Sequence, residues 1–108
     1  MANTSRQGHS RERQCVRELT ERGYVAIRSA GSKKVWDVIA IGPNDIKLIQ
    51  CKKTSKNIPS SIAPKAVVQE MRNAPAPNSG VVHKELWTWV NQQEVGQPTV
   101  GWVVTVVT

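Results

Sequence analysis

Val35-Trp36-Asp37-Val38-Ile39-Ala40-Ile41-Gly42-Pro43-Asn44-Asp45-Ile46-Lys47-Leu48-Ile49-Gln50-Cys51-Lys52-Lys53 is the stretch that decides the fold. Two apolar runs rich in Ile and Val flank a Gly-Pro-Asn-Asp turn, which is the composition of a hairpin. A turn centred on Pro43-Asn44 sets Asp37 opposite Gln50, on one face with Lys52 two residues further on. Ile39, Ile41, Ile46 and Leu48 share that face, so it begins apolar at the turn and ends in an acid, an amide and a lysine. Pro43 cannot take the positive φ of a type I′ turn, so this register is an inference from pattern. A slip of one residue would separate Asp37 from Gln50.

Upstream, Ser10–Arg22 reads as a helix. Glu12, Val16 and Leu19 recur at i, i+4 and i+7 on one stripe, and Gly23 suits the C-terminal stop. An acid on an apolar stripe points at or beside the interior; its ordinary alternative is an edge position paired with an arginine. Tyr24–Arg28 reads as the first strand. Residues 30–34 form a loop, followed by strands over Val35–Ile41 and Ile46–Lys53.

Downstream, residues 54–64 read as a polar loop, and Pro64–Arg72 as a short helix with Pro64 in its first turn. The proline-rich run Ala74–Gly80 ends it. Glu85–Val90 and Gly101–Val107 read as strands, with a helix over His83–Val90 as the alternative. The order is α-β-β-β-α-β-β, an α/β (α+β) domain with a mixed central sheet, expected to occupy residues 1–108 as one unit.

The chain of 108 residues has net charge +7, and residues 1–60 hold twelve of its fifteen Lys and Arg. A basic first half suits a polyanion, nucleic acid above all; a solvated basic face is the plainer explanation. No apolar run is long enough to span a membrane, and the first residues lack a signal-peptide core. Cys15 and Cys51 are the only cysteines and suggest no disulfide framework. A cytoplasmic protein with free thiols is expected. His9 and His83 are isolated, without metal-ligand spacing.

The chemistry follows from the hairpin. A carboxylate and an amide oxygen suit Mg²⁺, a hard cation. A lysine beside the metal can orient a water or stabilise charge on a phosphate. Asp-x12-Gln-x-Lys is a weak pattern alone; the strand context and the basic first half strengthen it.

Arg11-Glu12-Arg13, Gly23-Tyr24-Val25-Ala26-Ile27-Arg28-Ser29-Ala30-Gly31-Ser32, Asp37-Val38-Ile39-Ala40 and Gln50-Cys51-Lys52 together resemble the archaeal-type Holliday junction resolvases. That family has phage and bacterial relatives and belongs to the PD-(D/E)xK nucleases. The resemblance covers roughly residues 8–54, with Gly101-Trp102 resembling the family's last strand.

The resemblance implies a restriction-endonuclease-like core that cuts four-way DNA junctions as a homodimer with Mg²⁺, Mn²⁺ substituting. The two sites would cut strands of like polarity, with water as nucleophile, leaving 5′-phosphate and 3′-hydroxyl ends. If phage-encoded, the protein would work in the host cytoplasm. It implies that Glu12, Asp37 and Gln50 hold the metal and Lys52 completes the catalytic set. Arg28 and Ser32 would lie near the scissile phosphate or the junction backbone. Arg11, Arg13, Lys33, Lys34 and Lys53 are further candidates for DNA contact; for Lys33 and Lys34 a solvated loop is the equal alternative.

Two departures stand out. Trp36 occupies a position where many superfamily members have proline. Gln50 occupies the position of a Glu. Some members of the wider superfamily use Gln there and remain active, so a neutral amide oxygen leaves open weaker metal affinity, a changed substrate preference or an inactive DNA-binding relative. A nickase or flap nuclease on the same fold is the neighbouring enzymatic alternative. Trp87 and Trp89 alternate onto one face, as core or as dimer contact. Val103–Val107 is apolar on both faces, as a central strand or one covered by a partner.

Overall fold

The computed structural model describes residues 3–29, 35–90 and 101–108, with side chains from residue 10 onward. Helix α1 (Asn3–Glu21) is followed by β1 (Val25–Arg28), β2 (Val38–Ile41), β3 (Ile46–Thr54), α2 (Pro59–Ile62), α3 (Lys65–Asn73), β4 (Val82–Val90) and β5 (Gly101–Val107). The five strands form one sheet in the order β1-β2-β3-β4-β5. All neighbours are antiparallel except β3 and β4, which run parallel. A parallel pair needs a crossover, and α2 and α3 lie within it.

Each half of the sheet chooses its helix through strand alternation. Val38, Ala40 and Ile49 are fully buried with Cys15 and Leu19 of α1 and with Trp87. On the other face α3 covers Leu86 and Val107 with Met71, and Val35, Trp36 and Val68 pack against that cluster. The apolar stripe of α1 thus covers one face, and α3 covers part of the other.

Helix α1 ends where Gly23 predicts. Gly23 takes φ +94°, the Gly23 N–H donates to Thr20 O, and the Tyr24 N–H donates to Leu19 O, both at 3.0 Å. These two bonds satisfy carbonyls that the helix end leaves open, and the left-handed residue between them favours glycine.

The hairpin has the expected register: Val38 faces Ile49, Ile39 faces Leu48, and Ile41 faces Ile46. No non-glycine residue among those described has positive φ, so the Pro43-Asn44 turn is not type I′. Other contacts hold it. Gly42 N–H donates to Asp45 O at 2.8 Å, and the Tyr24 hydroxyl donates to Asp45 Oδ1 at 2.8 Å. The Tyr24 ring lies so close to Gly42 that a Cβ there would sit 2.7 Å from Tyr24 Cε2.

Several boundaries differ from the sequence expectation. Helix α1 begins at Asn3 rather than Ser10, and β2 begins at Val38 rather than Val35. The residues read as a polar loop include the single turn α2. Helix α3 starts at Lys65, with Pro64 capping it. Strand β4 starts at Val82, because parallel pairing with β3 recruits polar His83 and Lys84. Strand β5 is an edge strand, not a central one, and exposes Val104 and Val106. Trp87 and Trp89 face inward, where both meet Trp102 edge-on at 5.5 and 5.2 Å. They belong to the core face under α1. No helix among the described residues is long and apolar enough to cross a membrane.

Candidate active site

Asp37 stands one residue before β2, where the ladder to β3 breaks. Its N–H donates to Ile49 O at 2.8 Å, and its carbonyl accepts from Ser29 N–H at 2.8 Å. Its carboxylate reaches across to β3, where Oδ2 accepts the Cys51 N–H at 2.8 Å. Asp37 therefore brackets Gln50: its backbone is tied to the residue before and its side chain to the residue after.

Gln50 answers with an unsatisfied acceptor. Its Oε1 is buried and has no hydrogen-bond partner among the described residues. Leaving such an oxygen unpaired costs about 1–3 kcal/mol. A cation bound there would supply the missing partner.

Glu12 comes from α1 on the first helical stripe and pairs with Arg28 of β1, with Oε1 3.3 Å from Nε. Its charge also bears on Asp37. Burial pushes the Asp37 carboxyl up to about 6, the Cys51 N–H partly opposes that, and Glu12 adds to the rise. Asp37 thus lies near enough to Glu12 to feel its charge, while its own hydrogen bonds to Ile49 and Cys51 flank Gln50. A donor set of these three side chains, Glu12, Asp37 and Gln50, is all oxygen and fits a hard divalent cation. No cluster of three or more His, Cys, Asp or Glu is present among the described residues.

Lys52 is half-buried on β3, two residues beyond Gln50 and hence on its face, with no ion pair among the described residues. Cys51 lies between them and points the other way, into the core under α1. There it packs against the cluster that contains Cys15, and both thiols are free.

The remaining candidates divide. Arg13 and Lys53 are exposed. Arg11 is engaged within the protein, bonded to Gln14 Oε1 at 2.6 Å and lying 4.4 Å over the Trp89 ring. Arg28 is held by Glu12. Ser32, Lys33 and Lys34 lie outside the described residues.

Two contributors escaped the sequence reading. The backbone N–H of Cys51 holds Asp37, and a main-chain donor carries no residue-type signal. Trp36 packs under α3 beside Asp37; its departure from proline was the available clue.

Comparison with known proteins then fixes the lineage. The model of the archaeal Holliday junction resolvase (Hjc) family matches residues 3–71, more than half of the chain. The chain belongs to this family. The matched span contains Glu12, Asp37, Gln50 and Lys52, so the site just described lies within the family's own region. The "Crossover junction endodeoxyribonuclease Hjc" of Methanocaldococcus jannaschii is 43% identical over 56 residues, 52% of this chain and 41% of that protein. The chain thus aligns with less than half the length of this curated relative. The 1.6 Å structure of Archaeoglobus fulgidus Hjc, a Holliday junction resolvase, superposes with TM-score 0.52 at 19% identity, covering 94% of this chain and 73% of that one. That likeness shows the Hjc fold, the restriction-endonuclease-like mixed sheet.

Proposed function

We propose that this chain is a metal-dependent, structure-selective endodeoxyribonuclease that resolves four-way DNA junctions as a homodimer. Residues 1–108 would act as one nuclease domain on DNA in the cytoplasm. The observation that carries this reading is the buried, unpartnered Gln50 Oε1 beside Asp37, in a chain of the Hjc family.

Asp37, Gln50 and Glu12 are the residues that would hold the ion, Mg²⁺ or Mn²⁺. When bound, a divalent cation supplies Lewis-acid polarisation of the phosphate and a more acidic water. Asp37 presents a carboxylate whose direction is fixed by Cys51 N–H. Lys52 shares the face of Gln50 and would orient the attacking water or offset charge growing on the phosphate. Arg28, which is paired with Glu12 here, would turn toward phosphate. Arg13 and Lys53, both exposed, would meet the DNA backbone, supplying affinity without reading bases. A two-fold pair of chains would present two such sites to a junction that is itself near-symmetric.

One feature favours a second reading. Gln50 is neutral where a carboxylate would bind metal more strongly, as in a DNA-binding relative with weak chemistry. Cleavage of a synthetic four-way junction with Mg²⁺ or Mn²⁺, against an EDTA control and the component duplexes, separates the two. Metal-dependent cuts supports the nuclease; tight junction binding without cuts at any metal concentration supports the binder.

A further inference from the structure

Trp36 and Val38 flank Asp37 and would share a face in a regular strand. They do not. Val38 is fully buried in the core under α1, whereas Trp36 packs with the cluster under α3. The chain therefore turns over at Asp37, with an anchor on each side of the sheet. The Trp36 anchor is itself braced. Lys84 Nζ lies 5.9 Å from its ring centroid, and that ammonium is fixed by the carbonyls of Arg72 at 3.0 Å and Ala74 at 2.8 Å.

The turnover decides where the carboxylate goes. With its N–H on Ile49 of β3 and its carbonyl on Ser29 just past β1, Asp37 has its backbone position set by the sheet. The rotation that aims its side chain at Cys51 N–H is set by the two flanking anchors. Val38 belongs to the general core. Trp36 holds only the short segment leading into Asp37, just ahead of β2. In many superfamily members a proline occupies this position and restrains the backbone through its ring. Here a large side chain wedged under α3 would do so through packing.

We propose that Trp36 is a positioning residue for the metal-binding carboxylate of Asp37, linking α3 to the geometry of the active site. The inference rests on Asp37 being a metal ligand, and its test keeps the two claims separable. Mn²⁺ binding is measured by the electron paramagnetic resonance of the free ion, without DNA or turnover. The variants are Trp36→Ala, Trp36→Phe, Asp37→Asn and Leu19→Val, the last loosening the opposite core. Trp36→Ala is expected to weaken Mn²⁺ binding about 10–100-fold, the range for residues that orient a ligand from behind, and Trp36→Phe by no more than about threefold. Asp37→Asn is expected to lose binding, and Leu19→Val to bind as the parent does. If Trp36→Ala does not fold, Trp36→Leu keeps an apolar group in the cluster and is expected to weaken binding in the same direction. Parent-like binding by the folded Trp36 variant, with binding lost in Asp37→Asn, overturns the inference alone. So does equal weakening by Leu19→Val, which would reduce the effect to general loosening. Parent-like binding by Asp37→Asn overturns the metal site itself.

Discussion

The Asp37 carboxylate takes the place of a backbone carbonyl in the sheet, accepting the Cys51 N–H at 2.8 Å where β2 has not yet begun. The bond fixes one carboxylate oxygen, and Oδ1 has no hydrogen bond among the described residues. A half-fixed, half-free acid suits the metal-ligand role proposed for Asp37.

Asp37→Asn tests that role. The amide keeps the shape and an acceptor for Cys51 N–H but loses the charge. Metal-dependent cleavage should fall by at least about 100-fold, the scale of losing an electrostatic catalytic element. Junction binding in EDTA should stay within a few-fold of the parent. Gel shifts and cleavage on one junction check both; cleavage by the variant at parental rate in saturating Mg²⁺ would remove Asp37 from the site.

The pH dependence follows from the sign of the Asp37 shift. Burial and Glu12 raise its folded pKa from 3.8 to about 6. The folded state therefore holds this proton more tightly than the unfolded state does. Metal-free stability should decline as pH rises across that interval, and the decline should vanish in Asp37→Asn. Metal binding requires the ionised form, so Mn²⁺ affinity should weaken as pH falls below about 6. Melting temperatures across pH, with and without metal, provide the check.

Gln50→Glu tests the departure from the family's acid. If the orphaned Oε1 is a ligand, a carboxylate there should keep cleavage and lower the Mg²⁺ concentration at half-maximal rate, since a charged oxygen holds a hard cation more strongly. A third acid also repels Glu12 and Asp37, so the metal-free protein should lose stability. Complete loss of cleavage with fold and DNA affinity intact would count against a ligand role.

DNA affinity should be strongly salt-dependent. About five to eight phosphate contacts from the basic first half would give a slope of roughly −4 to −7 in log K against log[salt]. Arg13→Ala and Lys53→Ala should each reduce the slope by about one. A flat salt dependence would remove the electrostatic account of binding.

The hairpin was legible because alternation and turn chemistry agree: Ile39 with Leu48 and Ile41 with Ile46 admit only this register if the catalytic end is to meet. The stripe of α1 was legible through Leu19 and Val16, although it runs on to Cys15, which is fully buried. What escaped is tertiary. His83 and Lys84 carry no strand signal, and only pairing with Lys47 and Leu48 makes them part of β4. Trp87 and Trp89 suit a core, and from pattern a partner chain could also have met them; α1 covers them, with Arg22 5.6 Å over Trp87 and Arg11 over Trp89. At the site, side-chain types were readable, but the bracket around Gln50 depends on a backbone amide and on a strand that stops one residue short.

The central claim is junction resolution by paired sites, and one measurement meets it most directly. The protein is sized by light scattering, then given a four-way junction and its component duplexes at equal concentration with Mg²⁺. The account predicts a dimer that nicks two junction strands of like polarity and leaves the duplexes largely intact. A monomer that cuts linear duplex as fast as the junction would contradict it.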